Sequence, residues 1–254
     1  MITVFVVGTA GCGKSTFTKT FADFLYYKSI DVIKVNVDPA VENLPYDPEV
    51  DIRDYISAKE VMDKYGLGPN GAIIAAIDLS LNYVHLIREE IEDLDADYVI
   101  IDTPGQVELF AFRKTGEVFT SFLCEKNCFI LNILDAMLAN SPSTFLSSLF
   151  LAEAIEFKLK ETQINVLNKI DLLQNKELEK IMEWIDDPDK LVVDLQNETV
   201  GLERELGENL FHLVKNFLKN TAIYPVSAVT MQGIDTIYAI IQQIVMGGEE
   251  IDTG

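Results

Sequence analysis

Cysteine and histidine are scarce in this 254-residue chain, with only Cys12, Cys124, Cys128, His85 and His212. The cysteines form no C-x-x-C and the histidines stand apart. The sequence therefore predicts neither a disulfide framework nor a zinc cluster, and a reducing cytoplasm is the expected compartment. Basic residues are also short, 20 Lys and Arg against 41 Asp and Glu, for a formal net charge of −21. That surplus repels polyphosphate backbones, so no direct nucleic-acid binding is expected. A small nucleotide stays open, because backbone N–H groups can cradle phosphate even on an acidic protein. The opening "MITVFVVGTAG" has no basic n-region, and no apolar run reaches membrane length, since even "CFILNIL" is broken by polar residues. Neither a signal peptide nor a membrane partner is expected. Internal repeats and low-complexity tracts are absent as well.

What the chain has is apolar content, 48%, enough for a sizeable core. Six short runs read as strands: 2–7, 32–37, 97–102, 128–134, 164–168 and 222–227. They are Val- and Ile-rich and nearly continuous, as strands buried on both faces must be. Longer helical patterns separate them. In 71–94, Ile73, Ile77, Leu81, Val84, Ile87 and Ile91 recur at spacings of three and four, one face of a long helix. The alternation predicts an α/β fold, a doubly wound, mostly parallel sheet of about six or seven strands with helices on both faces. Residues 1–248 form one domain with two interruptions, a Pro- and acid-rich insert at 39–70 and a helical insertion at 174–219. Residues 249–254 are expected to be a flexible tail.

The first run leads into "GTAGCGKST", which satisfies G-x-x-x-x-G-K-[ST] between a strand and a helix. Glycines let the backbone wrap phosphates, Lys14 reaches the terminal phosphates and the Ser15 hydroxyl is placed for Mg²⁺. Gly11, Cys12, Gly13 and Thr16 complete the loop. "DTPGQ" follows the strand at 97–102, with Asp102 placed to hold Mg²⁺ through water, Gly105 an N–H that senses a terminal phosphate, and Gln106 a residue to orient water; by itself "DTPG" is also an ordinary strand-to-turn sequence. "NVDPA" ends another strand, so Asp38 is either a carboxylate acting on water or near Mg²⁺, or half of a turn-forming Asp-Pro pair. "NKID" points to guanine. Its ring N–H and exocyclic amine both donate, and the Asp171 carboxylate can accept from both, whereas adenine leaves that charge unpaired. Asn168 is placed to address the other base edge, Lys169 to pack its stem on the ring, and the backbone at Ser227 and Ala228 in "VSA" to back up the contact. The competing reading makes Asp171 a helix N-cap. "GPN" at 68–70 reads locally as a turn, with Asn70 an N-cap for the helix beyond it.

Taken in order, "GTAGCGKST", "NVDPA", "LPYDPEVDIRD", "GPN", "DTPGQVE" and "NKID" resemble the GPN-loop GTPases over essentially the whole chain. That family lies in the SIMIBI branch of P-loop GTPases, whose members act as nucleotide-linked dimers. The resemblance implies a Mg²⁺-dependent homodimer binding GTP and GDP, in which Asn70 reaches the partner's terminal phosphate. It makes Asp38, Gln106 and Glu108 candidates for handling the lytic water, and gives Arg53 and Asp54 the ordering of the insert. It also implies a protein partner of the RNA polymerase assembly type, and the short length is compatible with an archaeal member. Cys12 departs from the small residue expected there. It is either a tolerated substitution or, at a helix start, an acidified and modifiable thiol. The aromatic stretch 109–122, with Phe110 and Phe112, reads as core or interface.

Three other functions compete. A metal-delivery GTPase of the same branch needs clustered His or Cys. A small-molecule phosphotransferase has no use for N-K-x-D. A nucleotide-binding scaffold would have the same residues with little turnover.

Overall fold

The six expected strands, with a short β3 that was not among them, assemble into one parallel sheet: β1 (Ile2–Gly8), β2 (Val32–Asn36), β3 (Val50–Asp51), β4 (Tyr98–Asp102), β5 (Asn127–Asp135), β6 (Thr162–Asn168) and β7 (Ile223–Pro225). Their spatial order is β3-β2-β4-β1-β5-β6-β7. The structure is a computed structural model that describes residues 1–198, 201, 215, 218 and 222–251. The seventh strand, β3, was not legible because two residues carry no periodicity. Within β1, Val4, Phe5, Val6 and Val7 are all fully buried. Phe5 and Val7 enter one core and Val4 and Val6 the other, which is why the run is apolar without alternation.

α1 (Lys14–Tyr27) lays Phe17, Phe21 and Leu25 on the Val4–Val6 face, beside Ile234, Ile237 and Ile241 of α10 (Ile234–Ile251). The opposite face is covered from α4 (Val84–Leu94), α6 (Lys114–Leu123) and α7 (Pro142–Leu159), through Ile87, Ile91, Phe119 and Ile155. Phe110, in the short α5 (Val107–Phe110), is fully buried with its ring 6.2 Å from that of Phe5, a core residue. α10 continues through Ile251, so the segment read as a tail is helical to that point, and 252–254 lie outside the described residues. Of the helical insertion, α8 (Asn175–Asp186) and α9 (Pro188–Glu198) are described. They pack Trp184 and Leu191 against Phe145 of α7, whereas most of 199–219 lies outside the described residues.

Two expectations are corrected. The helix predicted over 71–94 is two helices, α3 (Pro69–Ser80) and α4, joined by a 3₁₀ turn at Leu81–Tyr83. Ser80 Oγ bonds back to the Ile77 carbonyl at 2.7 Å, a contact that bends helices. The combined stretch Pro69–Leu94 is long and apolar enough to cross a membrane by length and composition, unlike any uninterrupted apolar run. Ala76, Val84, Ile87 and Ile91 on it belong to the core. The second correction concerns the cysteines. Cys124 and Cys128, four positions apart, form a disulfide, and the Glu161 carboxylate lies within 4.8 Å of their sulfurs.

Candidate functional site

The carboxyl edge of the sheet brings together residues far apart in sequence. Asn36 is in register with Asp102 on one side and Asp51 on the other, and the turn after Gly8 opens beside them. Gly11 (φ +76°) and Gly13 (φ +97°) are left-handed, which curls the loop so that α1 begins at Lys14 with its amino end toward the edge. Gly13 caps α1 without a side-chain acceptor, leaving first-turn N–H groups for an anion. A cavity of about 620 Å³ lies here, lined by Gly11, Gly13, Lys14, Ser15 and Thr16 of the loop, and by Asn36, Asp38, Asp102, Thr103 and Gly105. Val41, Asn43, Leu44 and Pro45 of the insert form its remaining wall.

Lys14 is buried, and its ammonium donates to the carbonyls of Gly8, Thr9 and Gly105 at 3.0, 3.1 and 3.3 Å. Asp38 receives the Gly105 N–H on Oδ2 at 3.2 Å and the Ala40 N–H on Oδ1 at 2.9 Å. The turn-forming and site-facing readings of Asp38 therefore both describe it. Burial raises its carboxyl above the ordinary range, against the pull of those N–H groups and Lys14. Asp102 is 2% exposed. Burial pushes its carboxyl up to about 6, although the Ser15 and Tyr46 hydroxyls and Lys14 favour the charged form. Its Oδ1 is buried without a hydrogen-bond partner. An acceptor-only oxygen left unsatisfied beside a hydroxyl suits a hard divalent cation such as Mg²⁺, so Ser15 and Asp102 fit that ion.

The N-K-x-D segment is attached to the phosphate loop. Asn168, buried at the end of β6, donates from Nδ2 to the Cys12 carbonyl at 3.0 Å and accepts the Ala228 N–H on Oδ1 at 3.0 Å. Those contacts make Asn168 a brace between the phosphate loop and the "VSA" turn, and its Nδ2 amide keeps a second donor hydrogen. Ser227 is likewise buried, its Oγ accepting the Thr230 N–H at 3.0 Å. Lys169 adopts φ +70° and donates to the Gly11 carbonyl and the Asp135 carboxylate, both at 2.6 Å. Asp171 lies in the 3₁₀ turn Ile170–Leu172, not at a helix N-cap, which is Gln174 for α8. It is exposed.

Asn70, Gln106 and Glu108 are all exposed and do not line the cavity. Asn70 is not a cap either: α3 starts at Pro69 with Gly68 as its N-cap, placing Asn70 second in the helix. Gln106 occupies the N-cap position of α5 without a side-chain cap bond, and Glu108 lies in the first turn of that helix. Arg53 clasps Asp51 through Nε and Nη2 (3.0 and 2.6 Å to Oδ2), and its Nη1 donates to the Val41 carbonyl at 3.2 Å, ordering the insert. Asp54 is exposed. Cys12 is fully buried, and burial raises its thiol despite Lys14, so the acidified, modifiable thiol gives way to a packed small residue. Four participants went unread in the sequence: Asn36, Tyr46, Asp51 and Asp135. Asp135 had a signal, since it ends β5 as Asp102 ends β4.

Comparison with known proteins places the chain in a family. The family model described as "conserved hypothetical ATP binding protein" matches residues 6–247. The chain is 33% identical to GPN-loop GTPase 1 of Dictyostelium discoideum over 93% of its own length, but spans 60% of that relative. With a GPN-loop GTPase of Pyrococcus abyssi it shares 33% identity over 93% of this chain and 94% of the relative. The apo crystal structure of a GTPase from Pyrococcus abyssi superimposes with a TM-score of 0.85, at 31% identity over 95% of this chain and 96% of that one.

Proposed function

This chain belongs to the GPN-loop GTPase family, and from that premise we propose that it binds GTP at the sheet edge and hydrolyses it to GDP and phosphate. One observation carries the reading. The segment bearing the exposed Asp171 is braced to the phosphate loop by Asn168 and Lys169, so base and phosphate recognition are held in fixed relation. The family model's description names ATP, and the carboxylate argues for guanine, whose two adjacent donors it can satisfy. Lys14 and the open N–H groups of α1 bind the phosphates. Ser15 and Asp102 would hold Mg²⁺, which when bound neutralises phosphate charge. Asp38 is the carboxylate next to the terminal phosphate and holds or accepts a proton from water.

Within this reading the protein acts as a homodimer, as the family resemblance implies, and Asn70, Gln106 and Glu108 are exposed and outside the lining of their own cavity. A second copy brings Asn70 to the opposite phosphate, and Gln106 and Glu108 to its loop or to water. The implied setting is assembly of a multisubunit complex of the RNA polymerase type in the cytoplasm. Phosphate release and nucleotide affinity of wild type and Asn70→Ala test the proposal, with GTP and ATP compared and mass followed by light scattering. GTP preference with unchanged affinity and at least tenfold slower release in the variant supports it. ATP preference removes the guanine reading, equal release in both proteins removes the trans role of Asn70, and no release from wild type leaves a nucleotide-binding scaffold.

A further inference from the structure

Tyr46 belongs to the insert, 56 positions before Asp102, yet its buried hydroxyl donates to Asp102 Oδ2 at 3.0 Å. That bond fixes the carboxylate plane and gives the two oxygens different duties. Oδ2 is satisfied by the phenol, and Oδ1 is left buried, unpartnered and on a residue lining the cavity. The chain leading to Tyr46 is the cavity's insert wall, including Leu44 and Pro45. That wall is held at both ends, by Arg53 on the Val41 carbonyl and by Tyr46 on Asp102. A buried phenol needs an acceptor, and many would serve. This one is tied to the carboxylate that the cation would use.

We propose that Tyr46 is a positioning residue for the metal: it orients Asp102 so that Oδ1 alone is presented to the Mg²⁺ site, and it couples occupancy of that site to the position of the insert wall. The inference rests on the reading of Ser15 and Asp102 as the Mg²⁺ site. Tyr46→Phe removes one oxygen atom and retains the ring that fills the pocket.

The test titrates MgCl₂ into the full-length protein bound to a fluorescent N-methylanthraniloyl-GDP and reads nucleotide dissociation, with affinity in EDTA measured in parallel. Losing a hydrogen bond to a charged group predicts that Tyr46→Phe needs at least tenfold more Mg²⁺ to slow dissociation, with affinity in EDTA within twofold of wild type. Cleavage after Glu42 and Glu49 by a glutamate-specific protease should also lose its protection by Mg²⁺. A Mg²⁺ response within twofold of wild type overturns the role of Tyr46. An equal loss of affinity with and without Mg²⁺ also overturns it, since that is structural damage. Asp102→Asn separates the underlying reading: if its Mg²⁺ response is that of wild type, the metal is not held at Asp102 and the assignment fails with it. In the Asp102→Asn background, adding Tyr46→Phe should change the Mg²⁺ response less than twofold. If the single Phe variant does not fold, this pair of proteins decides the coupling, and a tenfold effect there overturns it.

Discussion

Asp38 Oδ2 accepts the Gly105 N–H at 3.2 Å, joining the turn after β2 to the turn after β4 across the mouth of the cavity. An entering terminal phosphate has to compete with this carboxylate for the same donor. Asp38→Asn keeps the size and weakens the acceptor. It should raise the ratio of GTP to GDP affinity about fivefold, the equivalent of roughly 1 kcal/mol for one hydrogen bond, while slowing phosphate release at least tenfold. Calorimetric affinities for the two nucleotides and a phosphate-release assay check both halves, and a ratio equal to wild type would show that Asp38 does not compete.

Asp171→Asn should lower GTP affinity about a hundredfold and leave ATP affinity within threefold, because two donors of guanine lose a charged acceptor, worth roughly 1.5–3 kcal/mol. Competition of both nucleotides against one fluorescent probe measures it. Parallel losses for GTP and ATP would mean that Asp171 supports the loop without reading the base.

Burial raises the Asp102 carboxyl from an ordinary 3.8 to about 6. A carboxyl raised on folding holds its proton more tightly in the folded state. Its stabilising contribution is full below about pH 4 and is lost as pH rises through about 6. The resulting cost to the metal-free protein at pH 7.5 is about 3 kcal/mol, at 1.36 kcal/mol per pH unit. Asp102→Asn should therefore be the more stable protein at pH 7.5 in EDTA, with its advantage vanishing toward pH 4. Denaturant melts across that range test it, and an advantage independent of pH would remove the charge from the explanation.

Gly13→Ala meets two obstacles at once. The backbone is at φ +97°, and an added Cβ would lie 2.6 Å from Asn168 Nδ2, the atom that braces the phosphate loop. Destabilisation of roughly 2 kcal/mol from the backbone alone is expected, with nucleotide affinity reduced more than tenfold. Chemical melts and binding isotherms report the two separately. Wild-type affinity would show that the brace is dispensable.

How legible each element was depended on whether its cause was local. Residues 2–16 announce a buried strand, a glycine-rich turn and a helix start through side chains adjacent in the chain. β3 could not be read, since Val50–Asp51 forms a strand by pairing in register with Val35 and Asn36. The break between α3 and α4 was hidden because the apolar spacing continues across it, whereas Ser80 bonding to Ile77 does not change that spacing. For Cys12 the local rule favours an acidic thiol at a helix start, and full burial overrides it.

By itself the sequence determined the strand–loop–helix that carries Lys14 and Ser15 and the parallel character of the sheet, because short-range pattern and residue type suffice for those. Tertiary structure alone decided the partners of the site's polar groups: Tyr46 on Asp102, Asp38 on Gly105, Asn168 on Cys12. These contacts join positions 56, 67 and 156 residues apart. A buried donor or acceptor must find a partner within about 3 Å, and only the packing of distant strands sets which one is there.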